Sequence, residues 1–266
     1  MAVGSDSDAK TNPASPIIMK IKVQTINIGV PVLMNEILNI QNLSVTFRSK
    51  GGTVHALKNI CFSLDKGDVL ALAGESGSGK STVANALVGL VPWERGGIYE
   101  LFGENINPYQ KKSFSIVRRK MQMAFQDPYS SLNPRNTVLE IIATPLLAMG
   151  ISKSEATEKA KKMLDLVGLS NADLNKFPHA FSGGQRQRIG LARALVSEPR
   201  ILICDEITSA LDVSVQAQIL HLLNDLRKEL NLSLIFISHD IAVMEIIANK
   251  ILKLKNGETV HSRLFT

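Results

Sequence analysis

Nine consecutive residues carry the strongest chemical signal in the chain: Gly74-Glu75-Ser76-Gly77-Ser78-Gly79-Lys80-Ser81-Thr82. They fit G-x-x-x-x-G-K-[ST], the spacing of a phosphate-binding loop set between a strand and a helix. The glycines let the backbone curl so that successive N–H groups converge on an anion. The helix that follows offers its positive end to the same anion. Lys80 is placed to reach the β and γ phosphates of a nucleoside triphosphate, and the Ser81 hydroxyl to ligate Mg²⁺. The implied chemistry is triphosphate binding.

Two further segments bear on what happens to the triphosphate. Ile201-Leu202-Ile203-Cys204 reads as a buried strand, and it ends in the carboxylates Asp205 and Glu206. Ligands of an open parallel sheet gather at the carboxyl ends of its strands. Asp205 is there suited to hold Mg²⁺ through water, and Glu206 to act as general base on an attacking water. Taken alone, the pair would serve equally well as a cap for the next helix. Ser182-Gly183-Gly184 reads as a turn opening a helix from Gln185 to Leu195, and Ser182-Gly183-Gly184-Gln185 forms a second helix N-terminus suited to an anion. One triphosphate needs one cradle, so a second cradle makes sense if it serves a nucleotide held by a neighbouring protomer.

These residues resemble the ATP-binding-cassette (ABC) ATPases. In that family Gly74–Thr82 corresponds to the Walker A motif, Ile201–Glu206 to the Walker B motif, and Ser182-Gly183-Gly184-Gln185 to the signature. Phe125-Gln126-Asp127-Pro128 resembles the Q-loop, Ser209-Ala210-Leu211-Asp212 the D-loop, and Ile237-Ser238-His239-Asp240 the segment of the switch histidine. The resemblance runs from about Leu38 to Val260 and implies roles for single residues. Gln126 would contact Mg²⁺ and the water, His239 the γ-phosphate, and Asp212 the partner across a dimer seam. Phe47 stands where the family places an aromatic that stacks on adenine.

Longer matches, over residues 125–135, 178–188 and 208–218, look like the ATPase subunits of dipeptide, oligopeptide and nickel importers. Ile207 departs from that group, which has proline after the glutamate, and the chain stops at Thr266 soon after its last expected strand. The resemblance implies a Mg²⁺-dependent ATPase at the cytoplasmic face of the membrane. Its implied partners are a like or unlike second ATPase, two permease subunits and, indirectly, a solute-binding protein. A soluble ABC ATPase of a multi-enzyme complex, such as phosphonate degradation, is the alternative.

The elements that must position these groups are legible around them. Leu38–Phe47, Ile60–Leu64, Val69–Ala73, Ile98–Phe102, Met121–Phe125, Ile201–Cys204 and Leu234–Ile237 read as strands, with a turn at Lys50-Gly51-Gly52. From Asp127 to about Val196 the pattern is helical, and Ser152 with Glu155 spells a capping box. Strand–helix alternation implies a mainly parallel sheet with right-handed crossovers. The expected fold is an α/β P-loop NTPase core with an antiparallel β subdomain near 38–66 and a helical insertion near 127–195. Residues 1–33 read as a poorly structured arm, and 34–266 as the ATPase domain.

Composition agrees. The chain has 266 residues, 45% of them apolar, and a mean hydropathy of +0.09. No apolar run is long enough to span a membrane, since Thr144 and Pro145 interrupt Ile141–Ile151. Cys61 and Cys204 both read as buried strand residues, which does not suggest a disulfide framework. The net charge of +6 comes from scattered lysines and arginines with only 5% aromatic residues, which argues against a nucleic-acid partner.

Overall fold

Strands that are apolar at every position must be buried on both faces. Val69–Ala73, Ile201–Asp205 and Ser233–Ile237 are buried at every residue. The computed structural model describes residues 35–49, 52–110, 112–127 and 131–264, the side chains through residue 260. The expected N-terminal arm (1–33), most of the Lys50-Gly51-Gly52 turn and the Pro128-Tyr129-Ser130 stretch lie outside them.

Ten strands are described: β1 Glu36–Ser49, β2 Gly52–Asp65, β3 Val69–Ala73, β4 Ile98–Leu101, β5 Glu104–Asn105, β6 Met121–Ala124, β7 Ile201–Asp205, β8 Ser233–Ile237, β9 Lys250–Lys255 and β10 Glu258–Leu264. Seven α-helices accompany them: α1 Lys80–Leu87, α2 Phe114–Lys120, α3 Val138–Ala148, α4 Lys153–Leu166, α5 Gly183–Leu195, α6 Val213–Glu229 and α7 Ile241–Ile247. One sheet has the order β10-β9-β3-β8-β7-β6 and is parallel except for β10. The other is antiparallel, in the order β2-β1-β4-β5.

The parallel sheet separates two apolar cores, and strand alternation assigns its residues to them. Leu70, Leu72, Ile201, Ile203, Ile235 and Ile237 face the antiparallel sheet and α1. Ala71, Leu202, Cys204, Leu234 and Phe236 face the other way, into a core with residues of α3, α4, α5 and α6. With both faces sealed, polar groups of this sheet reach solvent at strand ends. That is where the loops after β3, β7 and β8 carry the candidate site.

Several expectations need correction. β2 starts at Gly52, eight residues before the expected Ile60, because the β1–β2 ladder continues out to Ser49 and Gly52. Cys61 is exposed, whereas Cys204 is buried. β2 lies at the edge of its sheet, and alternation turns Ile60 into the core and Cys61 out of it. The helix expected from Gln185 begins at Gly183. Ser152 does cap α4 through the Glu155 N–H. Reciprocal capping boxes occur instead at Thr137–Glu140 and Ser182–Gln185.

Candidate functional site

β3 delivers the chain into the loop Gly74–Gly79, and α1 leaves it at Lys80. Three glycines there have positive φ: Gly74 at 151°, Gly77 at 77° and Gly79 at 108°. Gly74 and Gly79 are also short of space. A Cβ on Gly74 would come within 2.4 Å of the Leu254 carbonyl oxygen, and one on Gly79 within 2.9 Å of that of Ala56. The loop is thus pressed between β2 and β9, and the turn after β9 holds it as well. The Gly257 N–H donates to the Ser78 carbonyl (3.1 Å), and the Gly257 carbonyl accepts from the Lys58 N–H (2.7 Å).

Among the described helices of eight or more residues, α1 alone lacks a side-chain N-cap. Its first turn also holds no acidic residue. The first N–H groups of a helix need acceptors, and here an anion in the loop would supply them. Lys80 is buried, and its Nζ donates to the carbonyls of Gly74 (2.8 Å) and Glu75 (2.9 Å). A buried ammonium with only neutral acceptors is strongly complementary to a bound polyanion.

The carboxylates arrive from β7. Asp205 is buried and accepts from Ser81 Oγ (3.1 Å). Burial pushes its carboxyl above the usual range, as does the Glu206 charge, while the Ser81 bond and Lys80 oppose them. Glu206 sits at a left-handed φ of 48°, and its N–H donates to the Ile237 carbonyl (3.0 Å). Its Oε2 accepts from Gln126 Nε2 (3.1 Å) and lies 3.7 Å from His239 Nδ1. Four separate loops therefore converge: those after β3, β6, β7 and β8.

A cavity of about 680 Å³ opens at this convergence. Ser76, Gly77, Gly79, Lys80, Ser81, Thr82, Gln126 and Glu206 line one part of it. Val54, His55, Ala56, Lys58, Asn256 and Gly257 line the rest. A second cavity, also about 680 Å³, lies against Gly74, Glu75, Ser76 and His239 and is walled by Ile241, Met244 and Ile251.

Some sequence-derived site residues stay outside both cavities. Phe47 is 45% exposed and does not line the first cavity, although its cross-strand partner Val54 does. Ser182, Gly183, Gly184 and Gln185 line neither. Ser182 and Gln185 satisfy each other: Ser182 Oγ accepts from the Gln185 N–H (3.4 Å), and Gln185 Oε1 from the Ser182 N–H (3.0 Å). Gly184 lets α5 approach α6, since a Cβ there would lie 2.5 Å from Val215 Cγ1. Asp212 caps α6, accepting from the Val215 N–H (2.9 Å) and Ser214 Oγ (2.7 Å). These bonds hold its carboxyl below the usual range.

Sequence reasoning missed His55, Lys58, Asn256 and Gly257. The last two had a signal, because Asn-Gly between strand-like runs marks a two-residue hairpin. Cys204, which the sequence places in the same strand as the carboxylates, is sealed in the core, and burial raises its thiol out of reach of ionisation.

Comparison with known proteins bears on this geometry. A family model described as ABC transporter matches residues 57–209. The oligopeptide transport ATP-binding protein OppF of Haemophilus influenzae is 47% identical over 223 residues, covering 83% of this chain and 67% of that protein. OppF of Escherichia coli is 45% identical over 235 residues, 84% of this chain and 70% of that one. A putative peptide import ATP-binding protein of Brucella abortus is 43% identical over 227 residues, 84% and 68% of the two chains. Among solved structures, the ATP-binding cassette MJ0796, as a post-hydrolysis dimer bound to ADP and Pi, matches with a TM-score of 0.76 at 30% identity. That match covers 86% of this chain and 99% of the other. CbiO1 from Clostridium perfringens, part of an ABC transporter complex, matches with a TM-score of 0.75 at 28% identity, covering 86% and 88%.

Proposed function

The chain belongs to the ABC transporter family, and from that premise we propose that it is the ATP-hydrolysing subunit that powers a peptide importer. The observation that carries the reading is the convergence of Lys80, Ser81, Gln126 and Glu206 on one cavity, with His239 beside Glu206. The relatives named as peptide-import ATPases favour this over a soluble ATPase of a phosphonate-degrading complex, and peptides over nickel as cargo.

The residues divide the labour as follows. The N–H groups of Gly77–Ser81 and the Lys80 ammonium bind the β and γ phosphates and neutralise their charge. Ser81 Oγ and Asp205 Oδ1, 3.1 Å apart, make an all-oxygen donor pair that suits Mg²⁺, which is held by few protein oxygens plus phosphates. When bound, Mg²⁺ would supply a Lewis acid for the phosphate oxygens. Glu206 accepts the proton of a water as the water oxygen forms its bond to the γ-phosphorus. The bond to ADP breaks, and its electron pair leaves on the β-phosphate oxygen. Gln126 fixes the Glu206 carboxylate by its 3.1 Å bond, and His239, 3.7 Å from the same carboxylate oxygen, holds the γ-phosphate.

Ser182–Gln185 lie outside the cavity, which supports their use in trans, over a nucleotide held by a second, like or unlike, ATPase. Asp212 would lie at the seam. No described helix is long and apolar enough to cross a membrane, so transport requires separate permease subunits, with a solute-binding protein acting through them. We propose their docking at the hollow of about 380 Å³ lined by Phe125, Pro145 and Arg193, next in the chain to Gln126, where the exposed Phe125 offers an apolar contact. The protein then works at the cytoplasmic face of the membrane. Glu206→Gln is expected to keep ATP-driven dimerisation and lose turnover by about 100-fold or more. Sedimentation with and without ATP, together with phosphate release, checks this, and near-normal turnover would remove Glu206 as the base.

A further inference from the structure

We propose that Ser209 is a positioning residue for hydrolysis: it fixes which end of the Gln126 side-chain amide faces the attacking water. The inference rests on the ATPase reading above. A closed ring of hydrogen bonds joins Gln126, Ser209 and Glu206 at the end of β7. Gln126 Nε2 donates to Glu206 Oε2 (3.1 Å) and to Ser209 Oγ (3.4 Å). Ser209 Oγ donates in turn to the Glu206 carbonyl (3.0 Å), which also accepts from the Ser209 N–H (3.1 Å).

Counting protons around the ring sets the amide. A hydroxyl has a single proton, and that of Ser209 goes to the Glu206 carbonyl, a group that only accepts. Ser209 therefore shows Gln126 its lone pairs, and the –NH2 end of the amide must face it. The two protons of Nε2 serve Ser209 and the Glu206 carboxylate. Oε1 is the atom left over, without a partner among the described residues, on a side chain that lines the cavity. There it accepts from one hydrogen of the attacking water while Glu206 takes the other as a proton.

Glu206 alone would not hold this orientation through a turnover. Its ionised carboxylate only accepts and so selects –NH2, but once it has taken the water's proton it can also donate, and Oε1 would suit it equally. The demand of Ser209 for –NH2 does not change with that proton. Ser209 itself does not line the cavity, so it acts on the reaction through Gln126.

Turnover of the assembled ATPase and Mg-ATP affinity of the full chain, the latter by calorimetry, are measured for Ser209→Ala, Ser209→Thr, Gln126→Ala and the double variant Ser209→Ala with Gln126→Ala. Ser209→Ala should lower kcat about tenfold, the scale of one hydrogen bond lost from the transition state, and leave ATP affinity within about twofold of wild type. Ser209→Thr keeps the hydroxyl and should return kcat to within about threefold. Gln126→Ala removes the amide, so adding Ser209→Ala to it should change kcat by less than about twofold. Normal turnover in Ser209→Ala would overturn the proposal. So would a loss that persists in full in the Gln126→Ala background, because Ser209 would then merely brace the Glu206 backbone. A parallel fall in ATP affinity would overturn it as well. A wild-type assembly that binds Mg-ATP without releasing phosphate would overturn the ATPase reading itself, and this proposal with it.

Discussion

The two helix N-termini proposed to bind anions are built in opposite ways. At α1 the preceding loop is pressed between β2 and β9, the helix has no side-chain cap, and a buried lysine reaches across the loop. At α5 the helix start is exposed, and Ser182 and Gln185 cap each other in a closed box. The first site has unmet demand for an anion and a cavity to hold it. The second is satisfied on its own and lines neither cavity of the site. A helix N-terminus binds an anion when its N–H groups lack other acceptors and its surroundings exclude water. By that criterion one protomer completes only the α1 half. The α5 half becomes useful when another surface brings a triphosphate to it, so the two termini are proposed to act in different protomers on one nucleotide.

The largest expected effect comes from the buried cation. Lys80→Ala should reduce ATP affinity by more than tenfold and turnover by at least about 100-fold, the scale of losing one preorganised electrostatic contact. Calorimetry and phosphate release check it. Retained binding would mean that the loop's N–H groups suffice and that Lys80 is not what sets α1 apart.

Next in size is the packing that shapes the loop. Gly74→Ala places a Cβ 2.4 Å from the Leu254 carbonyl, a backbone atom that cannot swing aside. It should cost about 1–3 kcal/mol of stability in denaturant unfolding. Loss of nucleotide binding should accompany it. A stable variant with normal affinity would show the cradle to be less constrained than the contacts with β9 imply.

A smaller effect separates the two carboxylates. Burial raises the Asp205 carboxyl, whereas the Val215 N–H and Ser214 hydroxyl lower that of exposed Asp212. For Asp205 the sign is that of an acid whose ionised form is disfavoured by folding. Its contribution to stability is greatest below the unfolded value of about 4 and declines as pH rises through the raised folded value. Metal-dependent ATP affinity should run the opposite way, since the cation needs the ionised carboxylate. Affinity should therefore fall as pH drops through the raised folded value of this carboxyl, and Asp205→Asn should be weaker throughout and flatter with pH. Asp212→Asn should leave the slope unchanged.

The contrast between the two termini was partly legible in the sequence. The loop spelling and the uninterrupted apolar runs at 69–73 and 201–204 placed β3, β7 and their polar ends to within a residue, because burial on both faces leaves few alternatives. Ser182-Gly183-Gly184-Gln185 was recognisable as a second helix start. Its closed capping box was not read, although Ser at N-cap and Gln at N3 spell one. The cavity wall formed by β2 and the β9–β10 turn was illegible for a different reason. His55 and Lys58 lie on an edge strand that alternates inward and outward residues, and they meet Asn256 and Gly257 only through long-range pairing of β2 with the β9–β10 turn. Local pattern carries no record of that meeting. The same edge position explains why Cys61 read as buried and is exposed.

One substitution tests the division between the termini most directly. Ser182→Asp keeps a strong N-cap, so α5 should stay folded, while it sets a negative charge where a partner's triphosphate would dock. ATP affinity of the isolated chain and ATP turnover of the assembled ATPase are measured on the same protein. The expected result is affinity within about twofold of wild type and turnover reduced about 100-fold. A parallel fall in ATP affinity of the isolated chain would contradict the account, because it would place Ser182 at the nucleotide held by its own Lys80.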